Sequence, residues 1–249
     1  MDRDYCVPYR GGCSVLPKAC FIFPRMLFHL SFFLGSPAGQ ILIDDYVQSG
    51  RLKQAEGKRL ACCVTVSTPS FVLITCGSVL LHSFQYGLMI WLAEFFAVML
   101  LLFFTRSTPV TLQLDSSREV CSLFENLKEA VVQAGISLYF IGAYLLLTLV
   151  LLNLLTMKLP ASWLLPIQCA TEFSLGTNNL ALLPLASWIK ALLMTLVLGF
   201  ASFSVHLQVL SLTPHLKLAY PRYLCFRILQ MDLAGGVFLL LHLLQLWRS

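Results

Sequence analysis

The sequence predicts an all-α integral membrane protein of two inverted repeats, each with an interrupted re-entrant helix, a broken transmembrane helix and a plain transmembrane helix. Of its 249 residues, 58% are hydrophobic and 12% are charged, and the mean hydropathy is +0.79. Soluble domains carry less apolar surface, and several stretches here reach the roughly 20 apolar residues that cross a bilayer. Proline, glycine and serine interrupt these stretches at corresponding places in both halves.

The interruptions divide the chain into four regions. Residues 1–15 are a polar N-terminal segment, residues 16–105 the first repeat, and residues 106–130 an interfacial or cytoplasmic linker. Residues 131–249 contain an extra transmembrane helix and the second repeat. The polar start lacks a basic stretch that runs into an apolar core, so we expect no cleavable signal peptide.

The first repeat opens with the short apolar residues 19–35, which end in the turn Gly35-Ser36-Pro37-Ala38-Gly39. This stretch is too short and too interrupted for an ordinary span, so we expect it to dip into the membrane and return. Residues 44–59 are predicted to form a polar helical segment on the surface, with a stop signal at Ser49-Gly50 inside it. Its charged side chains are expected to face solvent: Arg51, Lys53, Glu56, Lys58 and Arg59.

Two longer stretches complete the first repeat. Residues 60–82 can cross the membrane, but Pro69 removes a backbone donor near their centre and predicts a broken helix. Residues 84–105 predict a plain span with Glu94 near its middle. Hydroxyl side chains surround the proline: Ser67, Thr68 and Ser70.

The second repeat follows the extra crossing at residues 131–156. Residues 159–185 are the second interrupted segment, residues 188–212 the second broken helix, and residues 224–246 the last plain span. The interrupted segment carries Glu172, Gly176, Thr177, Asn178 and Asn179. The broken helix carries Ser202, Ser204, His206 and Gln208 where a lipid-facing helix should be apolar.

Positive charge supports the inverted arrangement independently. If each interrupted segment returns to its own side, twelve Lys and Arg fall on one side, three fall on the other, and Arg25 and Arg227 lie inside apolar segments. Because cytoplasmic loops collect Lys and Arg, the richer side is predicted to be cytoplasmic. Its residues are Arg3, Arg10, Lys18, Arg51, Lys53, Lys58, Arg59, Arg106, Arg118, Lys128, Lys217 and Arg222; the other side has Lys158, Lys190 and Arg248.

Inverted repeats with discontinuous helices are typical of secondary transporters. The N-termini of half-helices carry free N–H groups and partial positive charge, which suit a small polar or anionic solute. The candidate solute-binding residues are Ser67, Thr68, Ser70, Glu172, Thr177, Asn178, Asn179, Ser202, Ser204, His206 and Gln208. The candidate helix-break residues are Gly35, Pro37, Gly39, Pro69 and Gly176.

Each candidate also has a structural interpretation. Serine and threonine hydroxyls often bond back to their own helix or pack between helices. Glu172 and the residues that follow it could merely cap a hairpin tip near the interface. Glu94 is a candidate coupling-ion site for a proton or cation, or else the ion-pair partner of Arg25 or Arg227. For His206 and Gln208, hydrogen bonding is favoured over metal coordination, because neither has neighbouring metal ligands.

These residues resemble the two gate domains of the sporulation integral membrane protein YlbJ family. The first match consists of Gly35 to Gly39, Asp45-Tyr46 with Gly50, Glu56 with Arg59-Leu60-Ala61, and Pro69-Ser70-Phe71 with Gly77. The second consists of Glu172 with Gly176 and the run from Phe200 to Ser211, in which Ala201-Ser202 stands where the family has a glycine pair. Together they cover about residues 16 to 246.

The resemblance implies a fold shared with concentrative nucleoside transporters and ferrous-iron permeases, and a role in spore formation. It implies transport of dipicolinate or a similar small solute across the cytoplasmic or mother-cell-derived forespore membrane of a spore-forming bacterium. Family members usually carry further membrane helices before the first gate domain. A short or N-terminally truncated member is therefore implied.

Other functions find less support in the sequence. We find no Ser/His dyad on clean neighbouring helices, HExxH motif, intramembrane Asp pair or glycine-rich nucleotide loop, so we expect neither an enzyme nor ATP-driven transport. The nine cysteines show no metal-ligand spacing, and we expect no cofactor or metal. The net charge of +5 is attributed to loops beside anionic lipid rather than to nucleic-acid binding. A non-transporting scaffold for spore envelope assembly remains the alternative, and the substrate, coupling ion and homo-oligomeric state stay open.

Overall fold

A computed structural model describes residues 24–105, 123–157 and 159–246 of the chain. These ranges are helical, without a strand. Four helices are long and apolar enough to cross a membrane: Phe84–Phe104, Ala130–Thr156, Ser187–Leu212 and Tyr220–Gln245. The chain is therefore described as an all-α membrane protein. The predicted N-terminal segment, residues 1–15, and residues 106–122 of the predicted linker lie outside the described ranges.

The first half contains a helical hairpin, an interrupted helix and a continuous helix. The hairpin pairs α1 with α2 and turns at Gly35, whose φ is +71°. The interrupted helix consists of α3 and a π-helix separated by residues 64–70. The elements are α1 Pro24–Leu34, α2 Ala38–Gln48, α3 Gln54–Cys63, the π-helix Phe71–Leu80 and α4 Phe84–Phe104.

The second half has the same sequence of elements after one added helix. Helices α6 and α7 form a hairpin that turns at Glu172, and the helix predicted over residues 188–212 is interrupted at Ala201. The elements are α5 Leu123–Thr156, α6 Ala161–Thr171, α7 Phe173–Ala181, α8 Ser187–Phe200, α9 Ser202–Leu212, a 3-10 turn Pro214–Leu216 and α10 Tyr220–Leu246.

The plain helices hold the two halves together. Helix α10 packs against α8 and α4, and α4 also packs against the π-helix. Gly77 and Gly87 let the π-helix and α4 approach closely, because a Cβ atom on Gly77 would lie 2.7 Å from Gly87 Cα. Helix α5 is peripheral: it packs on α6 and α9 and exposes many apolar side chains, a surface suited to lipid.

The surface helix differs from its prediction. Helix α2 begins at Ala38 rather than near residue 44, so Asp44 lies within it and is buried. The Asp44 carboxylate accepts from the Leu216 N–H at 2.7 Å and bonds His215 Nδ1 at 2.8 Å. Glu56 is likewise buried rather than solvent-facing, because it forms an ion pair with the half-buried Arg59.

The bundle has two distinct ends. At the first, Gln54 Nε2 donates to the His215 carbonyl at 2.8 Å, and Arg59 Nη1 donates to the Leu102 carbonyl at 3.4 Å. At the opposite end, the rings of Trp188 and His242 stack with centroids 5.1 Å apart. We call the first the basic end; the Lys and Arg on the elements gathered there are Arg51, Lys53, Lys58, Arg59, Lys217 and Arg222.

Candidate functional site

A cavity of about 130 Å³ lies where both hairpin turns meet both helix interruptions. This volume corresponds to roughly four water molecules. Phe71 and Phe173 form part of its wall and contact each other edge to face, with ring centroids 5.1 Å apart. The lining residues are Ser36, Val66, Ser67, Thr68 and Phe71 from the first half, and Phe173, Ala201 and Val205 from the second.

Four helices begin beside this cavity. Helix α2 starts two residues after Ser36, the π-helix starts at Phe71, α7 starts at Phe173, and α9 starts directly after Ala201. The first turn of a helix has N–H groups without partners in that helix, and its dipole adds partial positive charge. The elements converging on the cavity therefore favour a ligand that accepts hydrogen bonds.

The first interruption is a seven-residue segment fastened to the first hairpin. The Ser36 N–H donates to the Val66 carbonyl at 2.8 Å. A Cβ atom on Gly35 would lie 2.7 Å from Thr68 Cγ2, so the turn packs directly on the segment. Thr68 Oγ1 accepts from the Phe71 N–H at 3.3 Å and thus caps the π-helix. The two elements form one continuous wall.

The second interruption is a tight reversal of backbone conformation. Ala201 and Ser202 have φ values of +69° and +55°, in the left-handed region that favours glycine. The Ser202 side chain is fully buried, and its hydroxyl has no partner within the described ranges. His206 Nε2 lies 2.9 Å from the Phe200 carbonyl, and an Nε2–H tautomer donates to it. This bond satisfies the end of α8.

The second hairpin turn is organised by Glu172. One carboxylate oxygen accepts from the Ser174 N–H at 3.2 Å and from its hydroxyl at 2.8 Å, which caps α7. The other oxygen is buried and has no partner in the described part of the chain. Gly176 packs against α6, since a Cβ atom there would lie 2.6 Å from Cys169 Cα.

The cavity includes some of the sequence candidates and leaves others away from its wall. Ser67 and Thr68 line it, whereas Ser70 and Asn178 are exposed. Thr177 Oγ1 donates to the Ser174 carbonyl, so its hydroxyl bonds within its own helix. Two other candidates bond within the second repeat. Asn179 Nδ2 donates to Gln168 Oε1 at 2.8 Å, and Gln208 Nε2 donates to Ser204 Oγ at 3.4 Å.

Three of the helix-break candidates lie in the first turn or the first interruption, whereas Gly39 and Gly176 lie within α2 and α7. Gly35 and Pro37 lie between α1 and α2, and Gly39 lies at the start of α2, where a Cβ atom would meet the Ser31 carbonyl oxygen at 2.4 Å. Pro69 lies in the segment before the π-helix. The prediction missed six lining residues, of which Ser36 carried a signal in its position within the first turn; the others are Val66, Phe71, Phe173, Ala201 and Val205.

A buried polar cluster beside the cavity was not predicted as a unit. Arg227 is fully buried and donates to the Thr65 carbonyl at 2.5 Å and to the Cys62 carbonyl. The Cys62 carbonyl lies at the C-terminal end of α3 and the Thr65 carbonyl two residues beyond it, where a cation interacts favourably with the helix dipole. The cluster, called the Arg227 cluster below, consists of Gln40, Thr65, Glu94, Tyr223, Arg227 and Gln230.

Glu94 belongs to this cluster through Gln230. Its Oε2 accepts from Gln230 Nε2 at 2.9 Å, and its Oε1 has no hydrogen-bond partner within the described residues. Arg227 is close by, but its guanidinium donates to backbone carbonyls instead of the carboxylate. The Arg25 side chain, the other predicted partner, lies outside the described part of the structure.

Across residues 24–105, 123–157 and 159–246, no group of three or more His, Cys, Asp or Glu side chains is arranged to hold a metal ion. The described cysteines are free: Cys62, Cys63, Cys76, Cys169 and Cys225. No protein-family model, curated protein or solved structure matches this chain.

Proposed function

We propose that the protein is a multi-pass membrane transporter that moves a small polar or anionic solute by alternating access. The observation that carries the proposal is that both helix interruptions and both hairpin turns contribute to one cavity. In a membrane, backbone that leaves helical geometry is tolerated where it faces protein, water or a solute. Two interruptions that converge on one cavity, to which Ser36, Ser67 and Thr68 contribute hydroxyl groups, fit the midplane site of a secondary transporter.

The course of the chain supports two inverted gate domains. The first interrupted helix starts at the basic end, where Gln54 bonds the His215 carbonyl. The second starts at the opposite end, where Trp188 stacks on His242, and runs towards the basic end. Corresponding helices therefore run in opposite directions. The enrichment of Lys and Arg at the basic end favours a cytoplasmic location for it.

The solute class follows from which helix ends remain open. The C-terminal carbonyls of α3 accept from Arg227, and that of α8 interacts with His206. The N-terminus of α7 is capped by Glu172. Thr68 caps the π-helix, so the N-terminus of α9, which no side chain caps, is the best placed to donate to a solute, and a carboxylate or carbonyl oxygen suits it. The Ser67 hydroxyl on the cavity wall adds a further donor.

Membership of the YlbJ family remains part of this proposal, and with it a role in spore formation and dipicolinate as the first solute to test. A cavity of about 130 Å³ is well below the roughly 300–1,000 Å³ of pockets that enclose larger ligands. Binding of dipicolinate or a nucleoside therefore requires movement of the hairpins away from the interruptions. Such a movement is what alternating access demands.

The test is uptake of labelled dipicolinate, a nucleoside and a small monocarboxylate into proteoliposomes. We expect at least one to move above empty vesicles, and expect Ser67→Ala to lower its uptake about threefold to tenfold, as loss of one hydrogen bond would. Glu172→Gln tests the second hairpin turn, and Ser204→Ala tests α9. Thr148→Val is the control, because Thr148 on α5 bonds the Tyr144 and Leu145 carbonyls of its own helix.

Movement of none of these solutes would contradict the transport proposal. The alternative, a membrane scaffold in spore envelope assembly, predicts a different pattern. Alanine at Ser67, Ser202 and Ser204 together would then leave function in the cell unchanged while the protein remained folded.

A further inference from the structure

The Arg227 cluster joins four elements at mid-depth of the bundle. Glu94 lies at the middle of α4, Gln230 and Arg227 lie on α10, and Thr65 lies in the first interruption. Gln40 Nε2 on α2 donates to Thr65 Oγ1 at 3.0 Å. Thr65 Oγ1 in turn donates to the Ala61 carbonyl at 2.9 Å. Any change at Glu94 can therefore reach the interruption through Gln230, whose amide also donates to the Thr65 carbonyl at 3.4 Å.

Glu94 is an incompletely satisfied acid. It is 2% exposed, one of its oxygens is bonded to Gln230, and the other has no partner in the part of the chain that the structure describes. The titratable or charged side chains in the cluster around it are Arg227 and Tyr223, both on α10. An unpaired carboxylate oxygen at a buried position carries a large desolvation cost, which a bound cation or proton would remove.

The neighbouring oxygens do not offer a free set of ligands for a metal cation. In broken-helix transporters a sodium ion uses unwound carbonyls and the C-terminal ends of half-helices. Here the Cys62 and Thr65 carbonyls already accept from Arg227, whose fixed positive charge opposes a second cation at the same place. A proton needs one oxygen lone pair, which Glu94 Oε1 supplies. The geometry therefore favours a proton.

We propose that Glu94 binds the coupling proton and that Arg227 is a positioning residue that fixes the first interruption against it. This proposal rests on the transport function above. When Glu94 is ionised, its charge and that of Arg227 balance within the cluster. When Oε1 takes up a proton, the positive charge of Arg227 is no longer balanced. Its hydrogen bonds to the Thr65 and Cys62 carbonyls then change, and the first hairpin, which contacts the interruption, can move. The proton returns to water when the cluster opens to the other side.

The proton site can be tested without transport. Infrared difference spectra of the purified protein, recorded between high and low pH, report the carbonyl band of a protonated carboxylic acid. We expect the wild type to show a component of this band that Glu94→Gln lacks and Asp232→Asn keeps. Asp232 is the matched control because it is an exposed carboxylate on α10, five residues from Arg227. A band with the same intensity and frequency in Glu94→Gln as in the wild type would overturn the assignment.

Coupling is tested in vesicles with whichever probe the wild type moves. An imposed proton gradient in sodium-free buffer should drive accumulation, and Glu94→Gln should reduce that accumulation at least tenfold while solute-for-solute exchange remains. Retained exchange separates a coupling defect from misfolding. Accumulation driven by a sodium gradient at equal pH on both sides, or proton-driven accumulation in Glu94→Gln, would overturn the proposal. If no probe moves at all, the transport function fails, and the infrared band still decides whether Glu94 binds a proton.

Discussion

The two helix interruptions occupy equivalent positions in the two halves but are built differently. The first leaves seven residues between Cys63 and Phe71 outside regular helix and resumes as a π-helix, a form often found at functional sites. The second reverses the backbone at Ala201 and Ser202 and resumes at once as α9. The backbone carbonyls of the long interruption accept from Arg227 and Gln230 on α10 and from the Ser36 N–H of the first hairpin turn. At the short interruption one side chain, His206, bonds the Phe200 carbonyl.

This difference separates two tasks. The first interruption is held by distant groups, so the state of those groups can control its shape. The second is fixed by local backbone conformation and responds mainly to changes at its own residues. We therefore expect regulation by ions to act on the first half, and expect the second half to serve as the more constant wall of the cavity.

The largest effect should come from removing the cation that holds the first interruption. Arg227→Ala leaves the Cys62 carbonyl and Glu94 buried without a compensating cation, and should lower the free energy of unfolding by about 3–5 kcal/mol. Denaturant titration in detergent measures it. Arg222→Ala, an exposed position one and a half turns earlier on α10, should change stability by about 0.5 kcal/mol or less. Equal effects of the two substitutions would contradict the capping role.

Substitutions of glycine in the two hairpins should destabilise the protein to a similar extent. This comparison tests whether the two halves are equivalent outside the interruptions. Gly176→Ala would bring a Cβ atom within 2.6 Å of Cys169 Cα, and Gly39→Ala would bring one within 2.4 Å of the Ser31 carbonyl oxygen. Each should destabilise the protein by about 1–3 kcal/mol through overpacking. Gly142→Ala on α5 meets nothing within 4 Å and should be neutral or slightly stabilising. Thermal unfolding of the three variants measures the contrast.

Substitution with glycine should stabilise the protein at the second interruption but not at the first. Ala201→Gly relieves a left-handed residue and should stabilise the protein by about 1 kcal/mol. Ser70→Gly, at a φ of −63° in the first interruption, relieves nothing and should be neutral or destabilising. Melting temperatures under one detergent condition report both. A gain at Ser70 or a loss at Ala201 would contradict the assigned backbone geometry.

The smallest effect is a pH dependence at the basic end. Partial burial, with the charge of Asp44 beside it, raises the pKa of Asp45 to about 6, and because the residue is exposed, water screens its effect on stability. A raised carboxyl pKa means that the folded state holds the proton more tightly, so this contribution to stability is lost as pH rises from about 4 to 6. Asp45→Asn should become progressively more stable than the wild type over that window. A difference in melting temperature that does not change between pH 4 and 7 would contradict it.

The sequence predicted the interruption at Pro69 because proline lacks a backbone N–H donor in any fold. It predicted membrane-length spans because their apolar length is a local property. It did not predict Arg227 at the end of α3, since that contact joins residues 165 positions apart and depends on how α10 packs. The position of the second interruption was also only approximate, because neither Ala201 nor Ser202 is a residue type that marks a left-handed turn.

The cavity was predictable only where its lining residues stand out locally in the sequence. Ser67 and Thr68 stood out as hydroxyls in an apolar stretch, but Phe71, Phe173 and Val205 look like ordinary lipid-facing or core residues until the hairpins are docked. Likewise, Glu56 looked solvent-facing because the pattern of a polar helix does not reveal that Arg59 bonds it.

The capping of α3 by Arg227 has a consequence for how the protein is made. Cys62 and Thr65 leave the ribosome about 165 residues before the side chain that satisfies their carbonyls. At about 5–20 residues per second, that delay is roughly 8–33 s. During it the nascent first half presents unpaired carbonyls that lipid cannot satisfy. We therefore expect the first half to stay in contact with water or the insertion machinery until α10 emerges, and its release into the bilayer to be delayed until α10 has been made.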